Sequence, residues 1–313
     1  MDQFVCNAGQ FQAAFCYGTK QLAINKELIN SINILPVPNG NTGTNLHKTL
    51  LSSLQEMTDD AHLGNLVQQC AGGALLGASG SSGVILANFL IGFAETIEDK
   101  VTALPNDILR AVGNGYLKAK AETSVIADGG ILDIGAALYD HFSTEQPENQ
   151  TLEDTVSSIH KIACNALAAI PAKNLLFSRM GINDAGAAGL FHFIDGVYRY
   201  AAKKPLERNI VPSRSLSLAD DAEIKDTLYS IEFLINNVTL PVEDIKKSLS
   251  DIGDPVLLAY GKGDTVKVLI RTTDPKRVFD RSARFGRSAR IKVDDLVDER
   301  RYFLSKMQNE DIL

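Results

Sequence analysis

From Phe4 to about Ala202 the apolar residues recur three and four positions apart, the spacing of amphipathic helices, with Gly and Pro punctuating the pattern. Helices are expected at about 3–17, 20–33, 43–57, 63–75, 82–95, 105–121, 130–142, 151–169 and 184–201. The most apolar stretch, Gly83 to Phe93, is short and contains Asn88, so it reads as a buried helix rather than a membrane span. Periodicity fades between Lys203 and Asp220, where Pro and Ser accumulate as in a linker. Two domains are therefore expected, residues 1–202 and 221–313, joined by a linker at 203–220. In the second, strands at Tyr229–Ile235, Pro255–Tyr260, Thr265–Arg271 and Ala289–Val293 are interleaved with helices at Pro241–Asp251 and Pro275–Phe285. That βαββαβ order is that of a ferredoxin-like sandwich and makes the chain a multidomain, mainly α protein with a small α/β part.

Composition narrows the classes of function. Of 313 residues, 45% are hydrophobic and 22% charged, the balance of a folded domain pair rather than a disordered chain. Net charge is −7, which argues against general attraction to nucleic acid or anionic membrane. Cys6, Cys16, Cys70 and Cys164 are scattered, without the spacing of a metal site or disulfide framework. Met1 to Phe4 carries no features of a signal peptide, and a cytoplasmic protein is expected. A basic run, Arg271 to Lys292, suits a solvated helix face or an anionic partner. The five histidines form no motif, and no catalytic role is assigned to them.

Two glycine-containing turns each lead into a helix: Pro36 to Asn45, and Gly77 to Gly83. Two readings stand for each. Thr44, Ser81 or Ser82 could be an ordinary helix cap, or the unpaired N–H groups at the helix start could hold a phosphate beside the positive end of the helix dipole. Neither turn is a Walker P-loop, since no Gly-Lys-Ser/Thr follows.

Taken together the turns resemble a known family. Residues 36–45 are similar to the P-V-P-D-G-D-T-G-T-N motif in the kinase domain of bacterial fatty acid kinase, which is akin to the nucleotide-binding subunit of dihydroxyacetone kinase. Residues 77–86 resemble its G-A-R-G-N-S-G-V-I-L motif, 181–190 its G-V-V-D-A-G-G-K-G-L motif, and Gly129 to Leu132, more weakly, its G-T-I-L. Tyr229 to Phe233 looks like the family's Y-C-T-E-F, and Val266 to Pro275 like its V-K-V-H-V-H-T-D-D-P. The resemblance covers nearly the whole chain and stops near where the family's third, carrier-engaging domain would begin, so that domain is expected to be lacking.

The resemblance implies an all-α helical barrel of about eight helices. ATP or ADP would lie at one rim, contacted by Thr42, Gly43, Thr44, Asn45, Ser81, Ser82, Gly83, Gly130 and Asp184. For Asp184 a helix N-cap is an equal alternative. The family's paired metal-binding aspartates correspond to Asn39 and Asn41, so magnesium is expected to be weakly held or lost. Family positions occupied by Arg and Asn hold Ser79 and Ser81. The family's Cys and two His in the second domain, similar to a zinc site, correspond to Ser230, Leu269 and Arg271, so no zinc is expected. These replacements imply a degenerate ATP-dependent phosphotransferase, nucleotide-binding with weak or no kinase activity. The alternatives are an active metal-dependent kinase acting on a fatty acid or other small acceptor, and a non-catalytic subunit of an active paralogue. A protein partner and self-association are both compatible with the sequence.

Overall fold

The computed structural model describes residues 5–123, 130–144, 150–209 and 229–310. The start of the first expected helix, Gly129 of the G-G-I-L segment, linker residues 210–220 and residues 221–228 lie outside the described residues.

The helical pattern of the first part of the chain yields eight long helices among its described residues: α1 (Ala8–Ile24), α3 (Thr42–Glu56), α4 (Leu63–Gly77), α5 (Gly80–Ile97), α6 (Pro105–Glu122), α7 (Ile131–Thr144), α8 (Leu152–Lys173) and α10 (Ala185–Ala201). Two six-residue helices, α2 (Lys26–Ser31) and α9 (Leu175–Met180), join them. Local chemistry starts several of these. Asn7 accepts from Gln10 N while the Gln10 side chain accepts from Asn7 N, and Thr151 with Asp154 repeats that reciprocal cap on α8. Pro105 opens α6 in the first turn, where its missing N–H costs nothing.

The long helices pack as neighbours in the order α1, α3, α4, α5, α6, α7, α8, α10 and back to α1, closing a ring. One continuous apolar core fills it, including Phe15, Leu46, Leu50, Leu66, Ile97 and Ile134. α5 is long and apolar enough to cross a membrane by length and composition alone, but 67% of it is buried inside the protein, as a core helix. The break expected near Gly18 is corrected: α1 continues through it, and the chain turns instead at Asn25. The reason is packing. A Cβ on Gly18 would lie 2.8 Å from the Phe193 ring and carbonyl of α10, so this glycine permits a close helix crossing rather than a turn.

The sheet comprises β1 (Tyr229–Asn236), β2 (Val256–Tyr260), β3 (Val266–Thr272) and β4 (Arg287–Asp295), antiparallel in the order β2-β3-β1-β4. With α11 (Val242–Leu249) and α12 (Pro275–Ser282) it forms the expected βαββαβ layer pair. Alternate residues serve different cores. Ile231, Phe233, Val268 and Ile270 pack under the two helices, whereas Leu257, Ala259 and Leu269 join the helical core. Buried Asn88 of α5 donates to Leu258 O of β2 at 2.7 Å, so the sheet edge is bonded directly to the ring. A final helix, α13 (Leu296–Glu310), has no counterpart in the expected pattern.

The first part of the expected linker is anchored. Glu207 N donates to the Gln21 side chain at 3.0 Å and Asn209 N to Asn25 Oδ1 at 2.7 Å, so residues 204–209 run along α1.

If Gly18 exists to let α1 meet α10, Gly18→Val forces the helices apart. It should lower stability by about 1–3 kcal/mol, read as a fall in the urea midpoint with an unchanged slope.

Candidate functional site

The turn before α3 reverses the chain at Gly40, whose φ of +63° lies in the left-handed region that glycine adopts without strain. Phe303 of α13 packs against the bare Cα of Gly40, leaving no room for a side chain. Asn41, not Thr44, stands at the N-cap position of α3, and its side chain makes no capping bond. Asn30 of α2 and Asn33, just beyond that helix, supply the caps instead. Asn33 Oδ1 accepts from Asn41 N and Thr42 N at 3.1 and 3.2 Å, and Asn30 Oδ1 accepts from Thr44 N at 3.1 Å while Asn30 Nδ2 donates to Thr44 Oγ1. Three N–H groups of this turn, those of Asn41, Thr42 and Thr44, are therefore bonded to side chains of the chain itself.

The second turn starts α5 at Gly80, again at positive φ (+62°), with Ser79 rather than Ser81 or Ser82 at the N-cap position. Two of its main-chain donors are also engaged. Ser79 N donates to Thr49 Oγ1 at 3.3 Å, and Gly80 N donates at 2.8 Å to Glu232 Oε1, which projects from β1. The other Glu232 oxygen lies 3.2 Å from Lys267 Nζ on β3, and both side chains of this pair are buried. Burial pushes the Lys267 ammonium below the usual lysine range, against the opposing pull of Glu232.

A side-chain relay ties the two turns together: Ser79 Oγ donates to Asn45 Oδ1 at 3.0 Å, and Asn45 Nδ2 donates to Asn41 Oδ1 at 2.9 Å. The third motif arrives at the same rim. Asp184 is the N-cap of α10, accepting from Ala187 N at 2.8 Å. Gly186 lies between Asp184 and Ser82, close enough that a Cβ there would be 3.1 Å from an oxygen of each, and Gly130 borders Asp184 as well. The structure thus brings together Thr42, Gly43, Thr44 and Asn45 of α3, Ser81, Ser82 and Gly83 of α5, Gly130 before α7, and Asp184 before α10. Burial pushes the Asp184 carboxyl from 3.8 up to about 6, with Asp133 adding repulsion against the lowering effect of two backbone N–H groups.

Asn39 and Asn41 both turn to a residue with no signal in the sequence. Asn39 Nδ2 donates to Glu299 Oε2 of α13 at 3.0 Å, and Asn41 Nδ2 to the same oxygen at 3.4 Å. As bonded here, the pair presents few of the oxygens that magnesium needs. Both amides act as donors, Asn41 Oδ1 is taken by Asn45, and Glu299 is the one carboxylate bonded to the pair among the described residues, whereas magnesium needs oxygen ligands in octahedral order. Burial pushes Glu299 above the usual carboxylate range, Asp294 reinforces this, and Lys292 and the two amides oppose it.

Glu232 had a visible cue that Glu299 lacks: a Glu inside the apolar strand Tyr229–Asn236, matched by Lys267 inside the equally apolar Val266–Thr272, announces a buried pair. Leu269 is fully buried between sheet and ring, and Ser230 pairs with Arg271 in register. Much of the basic run is engaged within the chain. Lys276 pairs with Asp280, Arg281 donates to Ser248 O at 2.7 Å, and Arg290 donates to Leu76 O at 3.2 Å. His160 is held by Asp195 at 3.0 Å and stacks on Tyr198, an arrangement that belongs to the packing of α8 on α10.

The sequence profile of the DAK2 domain matches residues 36–199, more than half of the chain and all three motif turns. The chain belongs to the DAK2 domain family. Residues 226–302 of this DAK2-family chain match a second profile, the FakA-like middle domain of fatty acid kinase. Uncharacterized proteins of Staphylococcus epidermidis and Staphylococcus aureus are each 25% identical to it over 97% of its length. The DAK2-family chain spans 57–58% of the length of these curated relatives. Among solved structures, the dihydroxyacetone kinase of C. freundii matches with a TM-score of 0.47 at 17% identity, covering 60% of this chain and 34% of that one.

The capping role of Asp184 makes a prediction in two parts. Asp184→Ala should cost about 1 kcal/mol in urea unfolding, whereas Asp184→Asn keeps the acceptor and removes the buried charge. Because the folded state raises this carboxyl from 3.8 to about 6, it binds the proton more tightly than the unfolded state does. Its contribution to stability is present below the lower value and is lost as pH rises through the upper one. Melting curves across that window should show this fall for the parent and a shallower one for Asp184→Asn.

Proposed function

We propose that this DAK2-family chain is a degenerate ATP-dependent phosphotransferase, which binds ATP or ADP at the rim of the ring and transfers phosphate weakly or not at all. The observation that carries the reading is the state of Asn39 and Asn41, two neutral amides spent as donors to Glu299 where the family resemblance calls for metal-binding carboxylates. Phosphoryl transfer depends on charge that neutralises the phosphates as the bond breaks, and without resident carboxylates magnesium is weakly held there. In this reading Thr42, Gly43, Thr44, Asn45, Ser81, Ser82, Gly83 and Gly130 line the phosphates, and Asp184 closes toward the nucleoside. Domains at 1–202 and 221–313 with a linker at 203–220, a cytoplasmic setting and the absence of zinc at Ser230, Leu269 and Arg271 belong to the same proposal. So does a protein partner or an active paralogue that this chain would assist.

A second reading has one observation in its favour. Glu299 places a carboxylate between Asn39 and Asn41, and an active kinase would use it as the missing metal ligand. Calorimetric titration of the full chain with ATP, with and without magnesium, separates the two. The degenerate site predicts that magnesium changes ATP affinity by less than tenfold, whereas a larger gain, above about 1.4 kcal/mol, would establish the active-kinase reading instead.

Restoring both carboxylates with Asn39→Asp and Asn41→Asp tests the same site from the other side. In metal-free buffer the double variant should melt below the parent, since two donors to Glu299 become like charges beside it. Magnesium should raise its melting temperature and leave that of the parent nearly unchanged.

A further inference from the structure

The sheet region reaches into the rim at two separate places, each time with a carboxylate. Glu232 of β1 accepts from Gly80 N at the start of α5. Glu299 of α13 accepts from Asn39 and Asn41 in the turn before α3. One turn along α13, on the same helix face as Glu299, Phe303 is buried against Gly40. A carboxylate offers the same negative oxygens as a phosphate, and here Glu232 takes a main-chain donor at a helix N-terminus while Glu299 takes two side-chain amides in the turn before another. We infer that Glu232 and Glu299 form an intramolecular plug, which competes with the phosphates of a nucleoside polyphosphate and keeps the rim closed until one displaces it.

The inference rests on the nucleotide-binding reading given above and adds its regulation. Three features support a plug over incidental packing. The two contacts come from different elements, β1 and α13, and engage different turns, so they report one closed arrangement twice. Asn39 and Asn41 are suited to it, because amides donate to Glu299 where the family's aspartates would repel it. The Lys267 partner on the distal oxygen of Glu232 holds that carboxylate in place while its other oxygen faces Gly80. Competition lowers apparent affinity by the fraction of molecules that are open, so a chain open one-tenth of the time binds about tenfold more weakly than an unplugged one.

The experiment measures ATP binding by calorimetry on the full chain and on Glu299→Gln, which keeps shape while removing the charge. Glu232→Gln alone would strand Lys267 as a buried unpaired charge and could unfold the chain, so the second variant is Glu232→Gln with Lys267→Met. Thermal melts first show which variants are folded, and Glu299→Gln, at a half-buried site, supports the test by itself. The plug predicts affinity about five- to tenfold higher for Glu299→Gln, and faster amide hydrogen exchange in α13 of the parent when ATP is added. Unchanged affinity in folded Glu299→Gln, or slower exchange in α13 with ATP, would overturn the plug while leaving nucleotide binding intact. A loss of magnesium-supported affinity in Glu299→Gln would overturn it as well, making Glu299 a metal ligand. Absence of ATP binding in parent and variants alike would remove the underlying nucleotide reading and the plug with it.

Discussion

Several helix N-termini meeting at one rim are the constraint on which the rest of this structure depends. Each helix begins with N–H groups that have no partner within the helix, and the dipoles add positive potential at the same place. The rim answers with oxygens drawn from all over the chain. Asn30 and Asn33 serve α3, Glu232 serves α5, and Asp184 serves α10. The ring closes at this end because these acceptors satisfy donors that could not otherwise be buried.

That solution has a consequence for the second half of the chain. The sheet docks on the ring through apolar residues of one face, Leu257, Ala259 and Leu269, and through the bond from Asn88 to Leu258. Within the same face sits the Glu232–Lys267 pair, whose burial is tolerated because each charge has a partner and Glu232 has a second donor in Gly80. The polar contact therefore sets the position of the sheet on the ring, while the apolar contact supplies most of the driving force. α13 extends the same logic, with Leu296 and Phe303 buried and Glu299 placed between two amides.

Much of this was legible in the chain itself. Of the nine helices the periodicity placed in the first part, eight correspond to the long helices of the ring and the one at 20–33 is divided between α1 and α2, and all four strands are found, because burial on one face imposes a repeat of 3.6 or 2 on the residues. The glycine turns were also legible, since positions at φ near +60°, such as Gly40 and Gly80, favour glycine whatever surrounds them. Gly18 shows the limit of such reading. A glycine that breaks a helix and one that lets two helices touch look alike until the neighbour, here Phe193 of α10, is in place.

The sequence by itself determined most of the elements, their order and the three motif turns, though not α9 or α13, because those follow from local conformation and from burial patterns that repeat within a few residues. Only the tertiary structure decided what the turns bond to. Asn39 and Glu299 are 260 residues apart, and no periodicity or local propensity relates them. The same holds for Gly80 and Glu232, separated by 152 residues. Whether a donor at a helix end faces water or a carboxylate from another element is settled by docking, which depends on the summed fit of two surfaces rather than on any one stretch of chain.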